Sequence, residues 1–473
     1  MGKELGDDGM DILIRFIEFI NDYLWNYVLI FLLCGTGLYF TIRLKFIQIR
    51  KFSRGFKLAF GGVLKKGNIK ADEGGMTSFQ SLATAIAAQV GTGNLVGAAG
   101  ALIAGGPGSI FWMWISAFLG MATIYVEAAL AQKFKTMKDG VVVGGPRYYI
   151  IGAFKGTFGK VLATIFSILI VLALGFMGNM VQSNAIGNAF ETAFYIPQWT
   201  VGIVISVIAM FIFVGGVKRI ASVTEKLVPF MALLYIVGAL IVVFANVTKI
   251  PQAFSNIFVG AFYPQAVTGG VIGITIQKAM QFGVARGLFS NEAGMGSTPH
   301  AHALAKVKHP CDQGFIAMIG VFIDTFIILT LTALVILVTD VLPLGYDGQL
   351  NNGNLTQAAF ATLFGQSGNI FIAVCLLFFA FSTIIGWYFF GASNISALFG
   401  KIGVRIYAGL VCVLLVLGSF LKVDLVWALT DLFNGLMVIP NLIALLALGG
   451  LAAKISKDYE YSNRLKLRKE KKK

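Results

Sequence analysis

The residues best placed to do chemistry sit in two polar interruptions of long apolar runs. The first reads Ala87-Ala88-Gln89-Val90-Gly91-Thr92-Gly93-Asn94. The second holds Ala279-Met280-Gln281-Phe282-Gly283, followed by Arg286-Gly287 and Ser290-Asn291-Glu292-Ala293-Gly294, so that an Ala-x-Gln-x-Gly pattern begins at both Ala87 and Ala279. A helix unwound over 91–94 aims free N–H groups and the positive dipole end of its second half at one spot, which makes an anion site. The first half ends on free carbonyls at Ala87, Gln89 and Val90, which accept an ammonium group or a hard cation. A repeated break over 281–287 adds a second set of carbonyls. The ligand that satisfies both ends is a zwitterion, an α-amino acid.

A third stretch, Phe379-Ala380-Phe381-Ser382-Thr383-Ile384-Ile385-Gly386-Trp387, places Phe379, Ser382, Thr383 and Trp387 on one helix face. Adjacent hydroxyls are hard ligands of the kind Na⁺ takes, and Trp387, one turn on, walls a pocket. Phe282 sets a second ring beside the second break. Phe176, Asn179 and Ser183 form a mixed stripe that lines a cavity or glues helices. Glu127, Lys278, Arg286, Glu292 and Asp324 are ionisable groups in or near apolar spans, where charge is costly and usually functional. Arg286 and Glu292 are expected to neutralise one another or to gate the inner exit. His300, His302 and His309 lie among lysines at a helix end and read as structural, and Cys34, Cys311, Cys375 and Cys412 are scattered without a CxxC pair.

The elements that carry these residues are membrane spans. Of 473 residues, 57% are hydrophobic and 12% charged, with a mean hydropathy of +0.81, against about 25% charged in soluble domains. A soluble globule is excluded. Apolar runs at about 21–42, 73–103, 108–133, 158–190, 197–215, 221–246, 267–300, 313–340, 367–394, 403–420 and 424–452 predict eleven helices. Fifty-six glycines suit close helix packing. The net charge of +15 follows the membrane and does not indicate nucleic acid: nine Lys or Arg and no acid lie between Arg43 and Lys70, and nine more lie between Lys454 and Lys473. The positive-inside rule puts both clusters in the cytoplasm, the N-terminus outside and the C-terminus inside. The first span has no small-residue cleavage site after it and reads as a retained helix.

Each interrupted span opens a group of five, and the charge rule starts one group from inside and the other from outside. The expected organisation is an extra N-terminal helix and basic segment (1–70), a first five-helix repeat (71–246), a second, inverted repeat (247–452) and a basic cytoplasmic tail (453–473). Inverted repeats with a glycine-interrupted helix at the same place in each half mark a secondary transporter that binds substrate at the midplane. No paired carboxylates, activated nucleophile or metal cluster suggests an enzyme, and the inverted halves argue against a channel built around a symmetric pore.

Gly105-Gly106-Pro107-Gly108-Ser109-Ile110-Phe111-Trp112-Met113-Trp114-Ile115 resembles the signature of the alanine or glycine:cation symporter family. Gln89–Asn94 and Ala285–Gly294 resemble that family's other two marked stretches, and the likeness runs from about Asp11 to Leu451. The resemblance implies an all-α integral membrane protein of the leucine-transporter type, with ten core helices in two inverted repeats plus one extra. It also implies sodium-driven uptake of alanine or glycine, with Na⁺ as coupling ion and no other cofactor. Carried over by position, sodium falls to Ala87, Val90, Phe379, Ser382 and Thr383. The substrate carboxylate meets the N–H groups near Thr92 and Gly93, beside Gly91 in the same substrate shell, while Gln89 and Gln281 flank its amino group and Asn94 matches a second-sodium position of some relatives. Phe176, Phe282, Gly283, Thr383 and Trp387 complete the expected substrate shell. The alternative from the same residues is a proton-coupled amino acid transporter of the same fold, with Glu127 or Asp324 carrying the proton.

Overall fold

The computed structural model describes residues 4–64, 75–138, 140–268, 273–421 and 423–470. The expected basic positions Lys65, Lys66, Lys70, Lys422 and 471–473 lie outside the described residues. The chain is all-α and multi-pass. Among the described residues seven helices are long and apolar enough to cross a membrane, or eight if one bent pair counts as a span. In chain order the framework is α1 (Ile14–Arg43), the bent pair α2 (Ser78–Gln89) and α3 (Gly93–Gly105), α4 (Gly108–Phe134), α5 (Thr157–Phe194), the shorter apolar α6 (Gln198–Val214) and α7 (Gly216–Ala245). Then come α8 (Ile276–Asn291), α9 (Pro310–Val338), α10 (Gln366–Phe420) and α11 (Leu425–Ala447). The 55 residues of α10 are two helices merged across a kink at Gly400, whose φ of 68° no helix interior adopts.

Local chemistry sets the first break. Thr77 and Gln80 cap α2 reciprocally, each side chain accepting from the other's backbone N–H at 3.1 Å. The helix stops at Val90, which is extended at φ −84°, ψ 90°, and the chain resumes as α3 after a bend of 46°. Carbonyls unpaired by such a break are tolerated in a membrane only where protein or water satisfies them, so the break must be buried. Every residue from Leu82 to Leu102 is.

The second break is displaced from its expected place. The sequence points to 281–287, but α8 is continuous there, and the chain unwinds after Asn291, where Glu292 (φ 57°), Gly294 (φ 92°) and Gly296 (φ 79°) are left-handed. A short helix, Pro299–Leu304, follows. The reason is packing: a Cβ on Gly283 would lie 2.5 Å from Ser109 O and 2.7 Å from Trp112 Cβ on α4. That glycine serves close helix approach without bending its own helix.

Small residues also bring α10 onto α2. A Cβ on Gly386 would sit 2.9 Å from Ala88 Cβ, so the glycine lets the two backbones approach one turn from Thr383.

Candidate functional site

The first break and α10 meet at the expected carbonyls. Thr383 Oγ1 donates to Ala87 O at 2.9 Å and lies 3.4 Å from Val90 O, while Ser382 Oγ lies 3.2 Å from Ala87 O. Both hydroxyls also reach Phe379 O, at 2.8 and 3.1 Å. Ala87, Val90, Phe379, Ser382 and Thr383 are all fully buried. Three carbonyls and two hydroxyls around one point form a hard, neutral oxygen set of the type a dehydrated alkali cation takes. Gly91 is required here, because a Cβ on it would stand 2.3 Å from Thr383 Oγ1.

The donors past the break are held by side-chain amides. Gly91 N donates to Asn94 Oδ1 at 3.0 Å and Thr92 N to Gln182 Oε1 at 3.1 Å, while Gln182 Nε2 donates back to Thr92 Oγ1 at 2.9 Å. Sequence reasoning missed Gln182, although an amide inside the apolar run of α5 was the available signal. Gly93 lies against α8, its Cβ position 3.0 Å from Ser290 Cα. Gln89 Nε2 donates to Asn291 O at 2.7 Å, tying one break to the other, and its Oε1 is buried without a partner.

Asp324 joins this centre from a π-helical turn of α9, Phe322–Leu329. It accepts from Asn94 Nδ2 at 2.7 Å, from Ser290 Oγ at 2.9 Å and from Thr325 Oγ1 at 2.9 Å. One amide N–H and two hydroxyls thus donate to this buried carboxylate and supply the partners it needs away from water.

Trp387 is 1% exposed, and its Nε1–H donates to Glu292 Oε1. Phe289 meets its ring edge-on at 5.7 Å, and Gly178 leaves room for it. Ser297 Oγ donates to the other Glu292 oxygen at 2.5 Å. Glu127 on α4 clamps the second break, with Oε2 accepting from Gly294 N at 3.0 Å and Oε1 from Gly296 N at 2.9 Å and Asn441 Nδ2 at 2.6 Å.

Four expectations are corrected. Gln281, Phe282 and Gly283 do not reach this centre: Gln281 sits ten residues before Asn291 on an unbroken helix, about 15 Å along its axis. Gln281 and Phe282 instead line a cavity of about 470 Å³, together with Trp25, Arg286, Trp427 and Asp431. Arg286 does not pair with Glu292 but with Asp431, through two contacts of 3.0 Å, with its guanidinium over Trp427. Nor does it gate the end that carries the basic segments, because that cavity is also lined by Glu18, Asn21 and Asp22 near the start of α1, whereas Arg43 and the basic segment lie at its other end. Phe176 packs against Tyr407 with ring centres 5.6 Å apart, and its neighbour Ser183 donates to Leu415 O, so that stripe binds helices together.

The arrangement of buried helix breaks facing a hydroxyl-bearing helix belongs to a fold with a solved counterpart. MhsT, solved in complex with L-phenylalanine, superposes with a TM-score of 0.55 at 12% identity, over 80% of this chain and 97% of that one. This likeness establishes the leucine-transporter-type fold. The model of the sodium:alanine symporter family matches residues 10–473, and the chain belongs to that family. The amino-acid carrier protein AlsT of Bacillus subtilis is 43% identical over 94% of this chain and 91% of its own. The sodium/alanine symporter AgcS of Methanococcus maripaludis is 39% identical over 94% and 97%. The protein is therefore a sodium-coupled amino-acid symporter and not an enzyme.

Proposed function

We propose that the chain imports small neutral amino acids, alanine or glycine or both, with sodium by alternating access. The observation that carries this reading is the meeting of Ser382 and Thr383 with the Ala87 and Val90 carbonyls, which we read as the sodium site. The substrate carboxylate is assigned to Gly91, Thr92, Gly93 and Gln182, with Gln89 at the amino group and Trp387 as the wall beside the side chain.

In this reading eleven spans cross the bilayer as an extra helix and two inverted repeats of five, divided at 1–70, 71–246, 247–452 and 453–473. The end bearing Arg43 to Lys57 and Lys454 is cytoplasmic, the N-terminus is outside, and the cavity beside Arg286 is the outer vestibule. The proton-coupled alternative is weaker at Glu127. Both of its oxygens accept from N–H groups, so an added proton finds no acceptor.

Radiolabelled alanine uptake into proteoliposomes tests the proposal. Uptake is expected with an inward sodium gradient and not when choline replaces sodium; equal uptake in choline at fixed pH would refute sodium coupling. Trp387→Ala is expected to weaken alanine binding and to improve competition by valine and leucine, since removing the indole opens space for a larger side chain. An unchanged competition profile removes Trp387 from the pocket wall.

A further inference from the structure

At the basic end the chain is shut by a backbone latch. Met76 N donates to Leu304 O at 2.9 Å and Lys306 N to Met76 O at 3.1 Å, joining the segment before α2 to the helix after the second break. Gln132 on α4 reinforces it by reaching the carbonyls of His302, Ala303 and Ala305 at 2.5, 3.3 and 2.8 Å. Inside this latch lies a side-chain cluster that the transport site does not use. His302 Nδ1 accepts from Gln313 Nε2 at 2.8 Å, Gln313 Nε2 also reaches Ser81 Oγ at 3.0 Å, and Ser81 Oγ donates to Ala301 O at 2.9 Å. With Nδ1 accepting, the ring's proton sits on Nε2, and that atom has no partner. His302 is 1% exposed and Gln313, whose Oε1 is also unpartnered, is fully enclosed.

Two unmatched polar atoms in one closed interface favour a state in which water reaches them. Among the described residues, the charged groups on the surrounding elements offer the enclosed ring no counter-ion. Just past α4, Lys135 donates to Ala305 O; on α4, Glu127 is bound to the second break and Lys133 is exposed. Glu225 on α7 accepts from Gln80, and Asp312 at the start of α9 accepts from Tyr459. His300 has both ring nitrogens engaged, with Ser297 O and Asn394 Nδ2, and the next residues along this segment, Lys306, Lys308 and His309, bring no carboxylate. Among the described residues an imidazolium shut in here has no carboxylate to pair with, which makes the closed state selective for the neutral ring.

We propose that His302 is a proton-binding site that latches this end: the neutral ring is enclosed while the end is shut, and the ring takes a proton once the end opens. Acid on that side then holds the open state. The inference rests on the reading that the basic end opens during transport. With an imidazole of ordinary pKa near 6.5 in the open state, a drop from pH 7.5 to 5.5 raises the open-to-closed ratio about tenfold.

Hydrogen exchange of the Met76 and Lys306 amides reads the latch directly. It is measured without sodium or amino acid and corrected for the intrinsic pH dependence of amide exchange. Wild type is expected to show about tenfold more opening at pH 5.5 than at 7.5, His302→Gln none of that difference, and His300→Gln all of it. A pH-independent wild type overturns the proposal, as does a His302→Gln protein that keeps the shift or a His300→Gln protein that loses it. Because no substrate is present, failed alanine uptake alongside this exchange pattern would count against the transport reading alone.

Discussion

Thr383→Val is expected to raise the sodium concentration needed for half-maximal alanine uptake by about tenfold to a hundredfold. Valine keeps the shape of threonine and deletes the oxygen that stands 2.9 Å from Ala87 O and 3.4 Å from Val90 O. A lost contact to a charged group is worth roughly 1.5 to 3 kcal/mol, which sets that range. Binding of sodium and substrate is linked, so alanine affinity falls at low sodium and recovers at high sodium. A packing defect would not recover in this way. If the variant is expressed normally and its sodium dependence matches wild type, Thr383 leaves the site and the carbonyls remain as its ligands.

The second large effect is on folding. Glu127→Ala strands three buried N–H groups: those of Gly294 and Gly296, and one of the two on Asn441 Nδ2, whose other stays on Gly294 O. Each unpaired buried donor costs about 1 to 3 kcal/mol, so a loss of at least about 3 kcal/mol is expected, read as a lowered unfolding midpoint in detergent. Glu127→Gln keeps one acceptor and faces an NH₂ toward a donor, and it should fall between the two. A Glu127→Gln protein as stable as wild type but without uptake would restore Glu127 to the proton-carrier role.

The meeting of the first break with the Ser382 and Thr383 hydroxyls was legible in the sequence and the place of the second break was not, and the difference is physical. Hydroxyls at Ser382 and Thr383 and a glycine pair in an apolar run have few uses in hydrocarbon, so their types and spacing already indicate ligands and a broken helix. Gly283 and Gly287 have two uses, bending a helix or letting another approach. Only the neighbouring α4, with Ser109 O and Trp112 against Gly283, decides for approach. The repeated Ala-x-Gln-x-Gly pattern therefore marks a break at Gly91 and a packing contact at Gly283. Arg286 misled for a related reason. Its nearest acid in sequence is Glu292, but a helix carries residues six apart to different faces, and Asp431 from α11 reaches the guanidinium instead.

What the amino-acid order determines alone is whatever the bilayer enforces. The length of apolar runs, the placement of basic residues and the need to bury broken backbone follow from the absence of water in hydrocarbon. Which carboxylate meets which donor follows from contacts between segments far apart in the chain. Glu127 finds Gly294 and Asn441, Asp324 finds Asn94, Glu292 finds Trp387, and Gln182 finds Thr92. Such pairings depend on the rotation and depth at which helices pack. Side-chain shape sets those, and no periodicity along one strand of sequence encodes them.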